Sequence, residues 1–406
     1  MGRFEERIWR PKNLVHAGRR HRRLLRIAAY VPNPISDWDP PIGGAAAGIV
    51  SEADRAVSDL NRDAPSFAGL EALSRQLLRQ ESVASSRIEG LVMGQRRLAR
   101  AAHDAGGDDT ARQIVGNIRA MERAVELGSQ GRDFTHDDLI DIHRTLLEAT
   151  RDAHIAGLVR DEQNWVGGRG LSPADAEFIP PPEDHVAALL EDLVAFVNRS
   201  DLPATLHAAA VHAQFETIHP FADGNGRVGR CLIHVSLRRA GVAPQVVPPI
   251  SLILATNADA YIGGLGAWRG DDPVEWCLFF AGVTIAAVRQ ARRLASLVDE
   301  LQTDWLMRAG NPRRDATARK LIEHLPSEPI ITVARAMQVA DTSRPAAANA
   351  IDQLVASGIL TQVGDRPRNR QWEARDVFDL LDEFERDLAT GDDGESPLRP
   401  VPARRR

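Results

Sequence analysis

The chain has 406 residues, 43% of them apolar and 26% charged, so two or three domains with real cores are expected. A net charge of −6 argues against a wholesale nucleic-acid coat and leaves local basic surfaces open. No run approaches the roughly 18 apolar residues of a membrane span, and the Arg19-Arg20-His21-Arg22-Arg23 cluster precedes only a short apolar stretch, so a cytoplasmic protein is expected.

Lysine occurs only at Lys12 and Lys320, so nearly every cationic site carries the planar guanidinium fork. The two cysteines, Cys231 and Cys277, lie in apolar helical stretches without metal-type spacing and read as reduced, buried thiols.

Residues 1–45 begin basic and become rich in Pro and Gly, which predicts an extended arm over a later domain. From about 46 to 100 the apolar spacing is helical. A polar loop at 104–109 follows, then a helix from Thr110 to Leu127 and another through Leu147 that Thr135 can cap. Residues 151–182 break the helical pattern, and the extended pieces Gln163–Val166 and Glu177–Ile179 predict a small hairpin. Helical patterns resume at 183–198, 203–217, 225–240, 256–268 and 273–308, and Asn311-Pro312 marks a boundary.

From 313 to 386 two or three short helices lead to Ser343–Ser357, which Gly358 ends. Extended pieces at 359–363 and 370–373 flank Gly364–Asn369, a plausible β-wing, so this part resembles a winged helix. The tail from Thr390 is polar and reads as disordered. The expected organisation is an N-terminal arm and helical region at 1–100, a core at 101–308, the winged-helix-like domain at 313–386 and a tail at 387–406. The predicted fold class is mainly α: a helical bundle with a small β-hairpin flap and a C-terminal winged helix.

The chemistry concentrates at 219–230, His-Pro-Phe-Ala-Asp-Gly-Asn-Gly-Arg-Val-Gly-Arg. Gly224, Asn225 and Gly226 lie between two helices, where glycine permits positive φ and close approach of backbone N–H groups to a ligand. The helix that follows aims its positive end at the same place, making a phosphate cradle. Arg227 and Arg230 share a face of its first turn and can clamp polyphosphate oxygens. Asp223 at the rim can hold Mg²⁺, which suits one carboxylate with phosphate oxygens and waters. His219, with an ordinary pKa near 6.5, can accept a hydroxyl proton at neutral pH.

Other readings of these residues fare worse. The P-loop pattern is absent, and Val228 stands where an EF-hand needs its glycine. His207, His212 and His219 fall on different helical faces, against zinc.

The run at 219–230 resembles the Fic (Fido) motif, His-x-Phe-x-Asp/Glu-Gly-Asn-Gly-Arg-x-x-Arg, at every fixed position. Phe215-Glu216-Thr217-Ile218, Ile114–Glu126, Leu139–Leu147 and the Pro-rich end of 157–182 share the likeness, which covers roughly 80 to 290. The resemblance implies a protein adenylyltransferase. His219 would deprotonate a Ser, Thr or Tyr hydroxyl, which attacks the α-phosphorus of ATP as pyrophosphate leaves. Asp223 would hold Mg²⁺, the 224–226 backbone with Asn225 would stabilise the transferring group, and Arg227 and Arg230 would orient the β- and γ-phosphates. Asn257 and Tyr261 occupy the region of nucleoside contact, although Tyr261 can equally be a packing residue and Ile262 stands where the family often has a second aromatic.

Ser85-Ser86-Arg87-Ile88-Glu89-Gly90 reads by itself as a helix end, with Gly90 as the cap and Glu89 in solvent. Beside the downstream motif it resembles the N-terminal inhibitory helix of Fic proteins, at about 80–92. There Ser85, Glu89 and Gly90 would form a brake, the Glu89 carboxylate pairing with Arg230 in the place of the γ-phosphate.

The expected partners are ATP and a target protein whose extended strand docks on the 163–179 flap. A homodimer remains open. The winged helix, with Arg344, Asn349 and Gln353 on its long helix and Arg366, Arg368 and Arg370 on the wing, fits a protein interface better than DNA, because Asp352 and much alanine share that helix. Removal of AMP by a Glu89-activated water, transfer from another nucleotide, and a DNA-binding regulator with a Fic sensor domain are the alternatives.

Overall fold

The computed structural model describes residues 2–10, 24–63, 70–101, 108–168, 172–270, 272–364 and 370–390. Strands β1 (Gly2–Trp9) and β2 (Leu25–Pro32) come first, followed by helices α1 (Gly44–Asp63), α2 (Leu70–Ile88), α3 (Gln95–Ala101), α4 (Asp109–Gly128) and α5 (His136–Leu147). Next are α6 (Glu183–Val197), α7 (Ala204–Ile218), α8 (Asn225–Arg239), α9 (Ile250–Thr256), α10 (Ala258–Arg269) and α11 (Pro273–Arg308). The chain continues through α12 (Thr317–His324), β3 (Ile330–Thr332), α13 (Val333–Ala340), α14 (Arg344–Ala356), β4 (Thr361–Val363), β5 (Gln371–Glu373) and α15 (Arg375–Thr390). The protein is mainly helical with small sheets, as its sequence predicts.

Two compact units divide the chain. Unit 1 comprises Met1–Asp54, Arg119–Val242 and Asn257–Gly282, and unit 2 comprises Arg55–Ile118, Ala243–Thr256 and Val283–Arg406. This division cuts differently from the domains expected along the sequence, because distant segments pair. In unit 2 the buried Glu81 carboxylate of α2 accepts from the Ser251 amide and hydroxyl, each at 2.6 Å, and so ties α2 to α9.

Unit 1 is built on α7, every residue of which is buried. Its N-terminus has no capping side chain of its own; instead Asp54 accepts from the amides of Ala204 (3.0 Å) and Thr205 (2.7 Å), satisfying donors that the first helical turn leaves open. Helix α8 approaches α7 so closely at Gly229 that an added methyl would overlap the Glu216 carboxylate. Trp276 donates from its indole to the Ala209 carbonyl at 2.8 Å, and α11 thereby covers the small-residue stretch of α7. The Thr135 capping box is present: Asp138 N donates to the threonine hydroxyl and Thr135 N to the Asp138 carboxylate.

The segment expected as an extended arm is an antiparallel hairpin where it is described, with β1 and β2 paired from Gly2↔Pro32 to Trp9↔Leu25. Charged residues interrupt the apolar alternation of β1, which hid the strand from a pattern reading. The flap hairpin is reduced to a single bridge, Val166↔Phe178, followed by Gly167 and Gly168 at positive φ.

In unit 2, β3, β5 and β4 form a three-stranded antiparallel sheet beside α12, α13 and α14. Strands expected on both sides of 364–369 are present as β4 and β5; residues 365–369, with Arg366 and Arg368, lie outside the described residues, as do the Arg19–Arg23 cluster, residues 104–107, Gly170 and the segment from 391. Arg344, Asn349 and Gln353 are exposed on α14, and Gln353 donates to the Ala309 carbonyl at 3.0 Å. The Glu373 carboxylate is buried among Arg96, Arg100 and Arg375, tying α3 to the small sheet. Arg87 of α2 pairs with Glu385 of α15 at 2.5 Å.

Both cysteines are buried thiols, and burial pushes Cys277 up to about 12. Helix α11 is long and apolar enough to cross a membrane by length and composition, with just over half of that stretch buried inside the protein. The expectation that no stretch reaches membrane length is thereby corrected; the core helix of a water-soluble protein meets the same test.

Candidate functional site

Helix α7 ends at His219, whose φ of 50° and ψ of 60° place it in the left-handed region, a conformation open to few residues without glycine's freedom. The turn that follows returns through Gly224 (φ 82°) into α8. An added methyl at Gly224 would come within 2.9 Å of Leu146, so both backbone conformation and space call for glycine there.

Asn225, expected at the transferring group, turns inward. Its side-chain oxygen accepts from the Phe221 amide at 2.9 Å and its nitrogen donates to the Phe221 carbonyl at 2.8 Å. These bonds make Asn225 a brace of the loop, and the N-terminal amides of α8 have no side-chain cap.

Arg227 is buried at the start of α8 and donates through Nη2 to the exposed Asp223 carboxylate at 3.3 Å. Its Nε and Nη1 are buried without a hydrogen-bond partner among the described residues. A buried guanidinium with two open donors calls for an oxyanion. Arg230, three residues on, is only 1% exposed.

The donor set fits Mg²⁺ in one way. Among the described residues no group of three or more His, Cys, Asp or Glu could hold a metal. The single half-exposed Asp223 carboxylate suits an ion completed by substrate phosphates and water.

Three residues that pattern reading passed over position this loop. Arg160 donates to the carbonyls of His219 (2.9 Å), Ile218 (3.4 Å), Pro181 (2.6 Å) and Glu162 (3.0 Å). Burial lowers its pKa to about 10, which leaves it charged at neutral pH. Asn164 donates to the His219 and Phe221 carbonyls at 3.2 and 3.0 Å. His143 of α5 stacks on Phe221 with centroids 3.7 Å apart and planes 7° apart. Its Nδ1 accepts from the Gly157 amide at 3.0 Å, so Nε2 carries the proton and donates to the Asp223 carbonyl at 3.1 Å. Burial depresses its pKa to about 4, so this ring is neutral. All three serve main-chain groups far off in sequence, which no local motif announces.

The two residues expected near the nucleoside are otherwise engaged. The Asn257 side chain caps α10 by accepting from the Ala260 amide at 3.3 Å. Tyr261 is buried, with its hydroxyl 2.9 Å from His212 Nε2 and its ring stacked on the same imidazole. The packing reading of Tyr261 is therefore the one the contacts favour. His207 Nε2 meets the Phe196 carbonyl at 2.8 Å, which with the His212 contact disposes of a histidine zinc set.

Within unit 2, Glu89 and Gly90 close α2. Leu91 N donates to Ser86 O at 3.0 Å and Gly90 N to Arg87 O at 2.9 Å, with Gly90 at φ 76°, a Schellman end. Ser85 is buried one turn earlier, and Glu89 is exposed at the cap position. Asn117 of α4 fixes this turn by donating to the Ser82 carbonyl at 2.7 Å and the Ser86 hydroxyl at 3.1 Å.

Comparison with known proteins agrees with the motif. The Fic/DOC family model matches residues 133–237, and that for the Fic/DOC family N-terminal region matches 49–126. The protein adenylyltransferase Fic of Drosophila melanogaster is 34% identical over 153 residues, 37% of this chain and 29% of that protein. The Drosophila willistoni protein of the same name is 30% identical over 213 residues, 50% of this chain and 38% of it. The chain thus spans well under half the length of these curated relatives. The crystal structure of a Fic family protein from Desulfovibrio desulfuricans G20 aligns with a TM-score of 0.52 at 21% identity, over 83% of this chain and 98% of that one. A Fic-domain-containing signaling protein from Bacteroides thetaiotaomicron aligns with a TM-score of 0.50 at 19% identity, over 61% of this chain and 97% of that one. The chain thus carries a region matching the Fic/DOC family's N-terminal part at 49–126 and a Fic/DOC domain at 133–237.

Proposed function

We propose that this protein is an adenylyltransferase that moves AMP from ATP onto a Ser, Thr or Tyr hydroxyl of a target protein. The observation that carries this reading is Arg227, a buried guanidinium with two open donors at the start of a helix and beside an exposed carboxylate. ATP supplies the oxyanions such a place lacks. His219 takes the hydroxyl proton as the oxygen attacks the α-phosphorus, and the bond to the β-phosphate breaks with its electron pair leaving on pyrophosphate. Arg227 and Arg230 hold the leaving phosphates. Asp223 would hold Mg²⁺, which would offset the charge of the phosphates. Asn257 and Tyr261 support α10 in this reading.

The protein rests in an inhibited state, with Glu89 competing against the γ-phosphate for Arg230. The Ser85–Gly90 sequence supports this reading. The C-terminal helices with their small sheet serve as a protein-interaction module, and the setting is cytoplasmic.

Purified full-length Glu89→Gly protein, incubated with ATP and Mg²⁺, should gain mass matching AMP on itself or on added protein. Label from α-labelled ATP should rise above wild type, and Glu89→Gly/His219→Ala should take up none. No label in the Glu89→Gly protein overturns the transfer reading. Label that does not exceed wild type overturns the brake alone.

A further inference from the structure

Within unit 1 a cleft of about 930 Å³ opens between β1 and the segment 155–165. Ile8, Trp9, Leu158 and Trp165 are among its apolar lining residues. The cleft reaches Ala222, in the loop between His219 and Asp223. Trp9 and Trp165 meet edge to face with centroids 5.8 Å apart, while Ile8 and Leu158 are 60% and 58% exposed. Single exposed apolar residues need no explanation; several gathered around one concavity mark a binding surface.

The strand that lines the cleft adds a second argument. β1 runs for eight residues and pairs with β2 along one edge, and among the described residues no strand pairs with its other edge. An unpaired edge of that length is a template for another extended chain. The rim supplies charge complementarity. Asp161, Glu162 and Glu183 line it with Arg7, Arg10 and Arg160; Arg7 is ion-paired with Glu5 and Asp184 and Arg160 is engaged by main-chain carbonyls, which leaves Arg10 as the cation not so engaged.

We infer that this cleft seats an extended segment of the target polypeptide, with an aromatic or branched apolar residue against Trp9 and Trp165 and a basic residue at the acidic rim. Seated so, the segment carries its hydroxyl past Ala222 to His219. The inference rests on the adenylyl transfer proposed above and adds the sequence character of the target.

The test uses full-length Glu89→Gly protein, α-labelled ATP, and a library of short synthetic peptides with one fixed central serine and randomised flanks. The labelled peptides should share an apolar residue at one fixed offset from the serine and Lys or Arg at another. Trp9→Ser and, separately, the exposed Leu158→Asp should each abolish the apolar preference and lower kcat/KM for the favoured peptide about tenfold, with the ATP-dependent thermal shift retained. Asp161→Lys with Glu162→Lys should turn the basic preference acidic. Labelled peptides without positional preference, or a preference unmoved by these variants, overturn the inference. So does a change of sedimentation with Trp9→Ser at unaltered preference, which would assign the cleft to a second copy of the chain. Self-labelling without peptide labelling sinks the inference alone, whereas loss of all labelling sinks the transfer reading with it.

Discussion

The Arg160 guanidinium donates to the main-chain carbonyl of His219 at 2.9 Å, so a buried cation holds the left-handed residue on which the loop turns. The same group serves the neighbouring Ile218 carbonyl and two further carbonyls, those of Glu162 and Pro181, from other segments. The position of His219 thus depends on a side chain that takes no part in the reaction.

Replacing Arg160 by Ala should leave buried carbonyls unsatisfied and cost about 2–4 kcal/mol of stability. Lysine should rescue little, because a single ammonium cannot reproduce the guanidinium fork's bonds to four carbonyls. Thermal unfolding measures the first effect. AMP transfer in the Glu89→Gly background, at a temperature where the variant is folded, measures the displacement of His219.

The neutral His143 gives stability a pH dependence with a definite sign. Its folded pKa of about 4 lies below the ordinary value near 6.5, with burial as the main cause. The unfolded chain therefore binds the extra proton, and stability present above about 6.5 falls progressively as pH drops towards 4. The full effect is on the order of 3 kcal/mol. His212, depressed to about 3 by burial and by Arg230, acts in the same direction. His143→Gln should flatten the dependence of unfolding free energy on pH between 4 and 6.5, measured by urea titration. An unchanged slope would remove His143 as its source.

Gly224→Ala should strain the entry to α8. An alanine at φ 82° costs about 1–2 kcal/mol, and its methyl would press on Leu146 at 2.9 Å. The expected outcome is a modestly lower melting temperature with a larger loss of ATP binding, since the α8 amides lose their aim. Calorimetric titration with ATP separates the two effects.

Arg227→Gln should weaken ATP binding about 10- to 100-fold, the scale of charged hydrogen bonds lost to phosphate. Stability should change little or rise, because the substitution removes a buried charge whose Nε and Nη1 have no partner among the described residues. Thermal shift with and without ATP reads both quantities in one experiment.

The helices on both sides of the site were legible because their signals are local. Thr135 announces the start of α5, and the glycines at 224 and 226 announce the turn into α8 within a few residues of where they act. The 219–230 run was legible for the same reason: its histidine, carboxylate and arginines stand on one continuous stretch of loop and helix. The strand β1 was not legible, since its charged side chains erase the period of two that betrays a strand, and β2, largely buried, lacks that alternation too.

Sequence by itself thus determined the helical class, the turn at 219–230 between two helices and the residue types that stand on it. Only the tertiary structure decided that Asn225, Asn257 and Tyr261 are engaged in the scaffold, and that Arg160, Asn164 and His143 hold the loop from elsewhere. The reason is the nature of the partners. Most of these side chains bond main-chain groups, which every residue carries, so their sequence has no matching side chain to reveal the pair. A motif can be read where chemistry is contiguous, whereas support for a carbonyl becomes visible only when folding brings the donor to it.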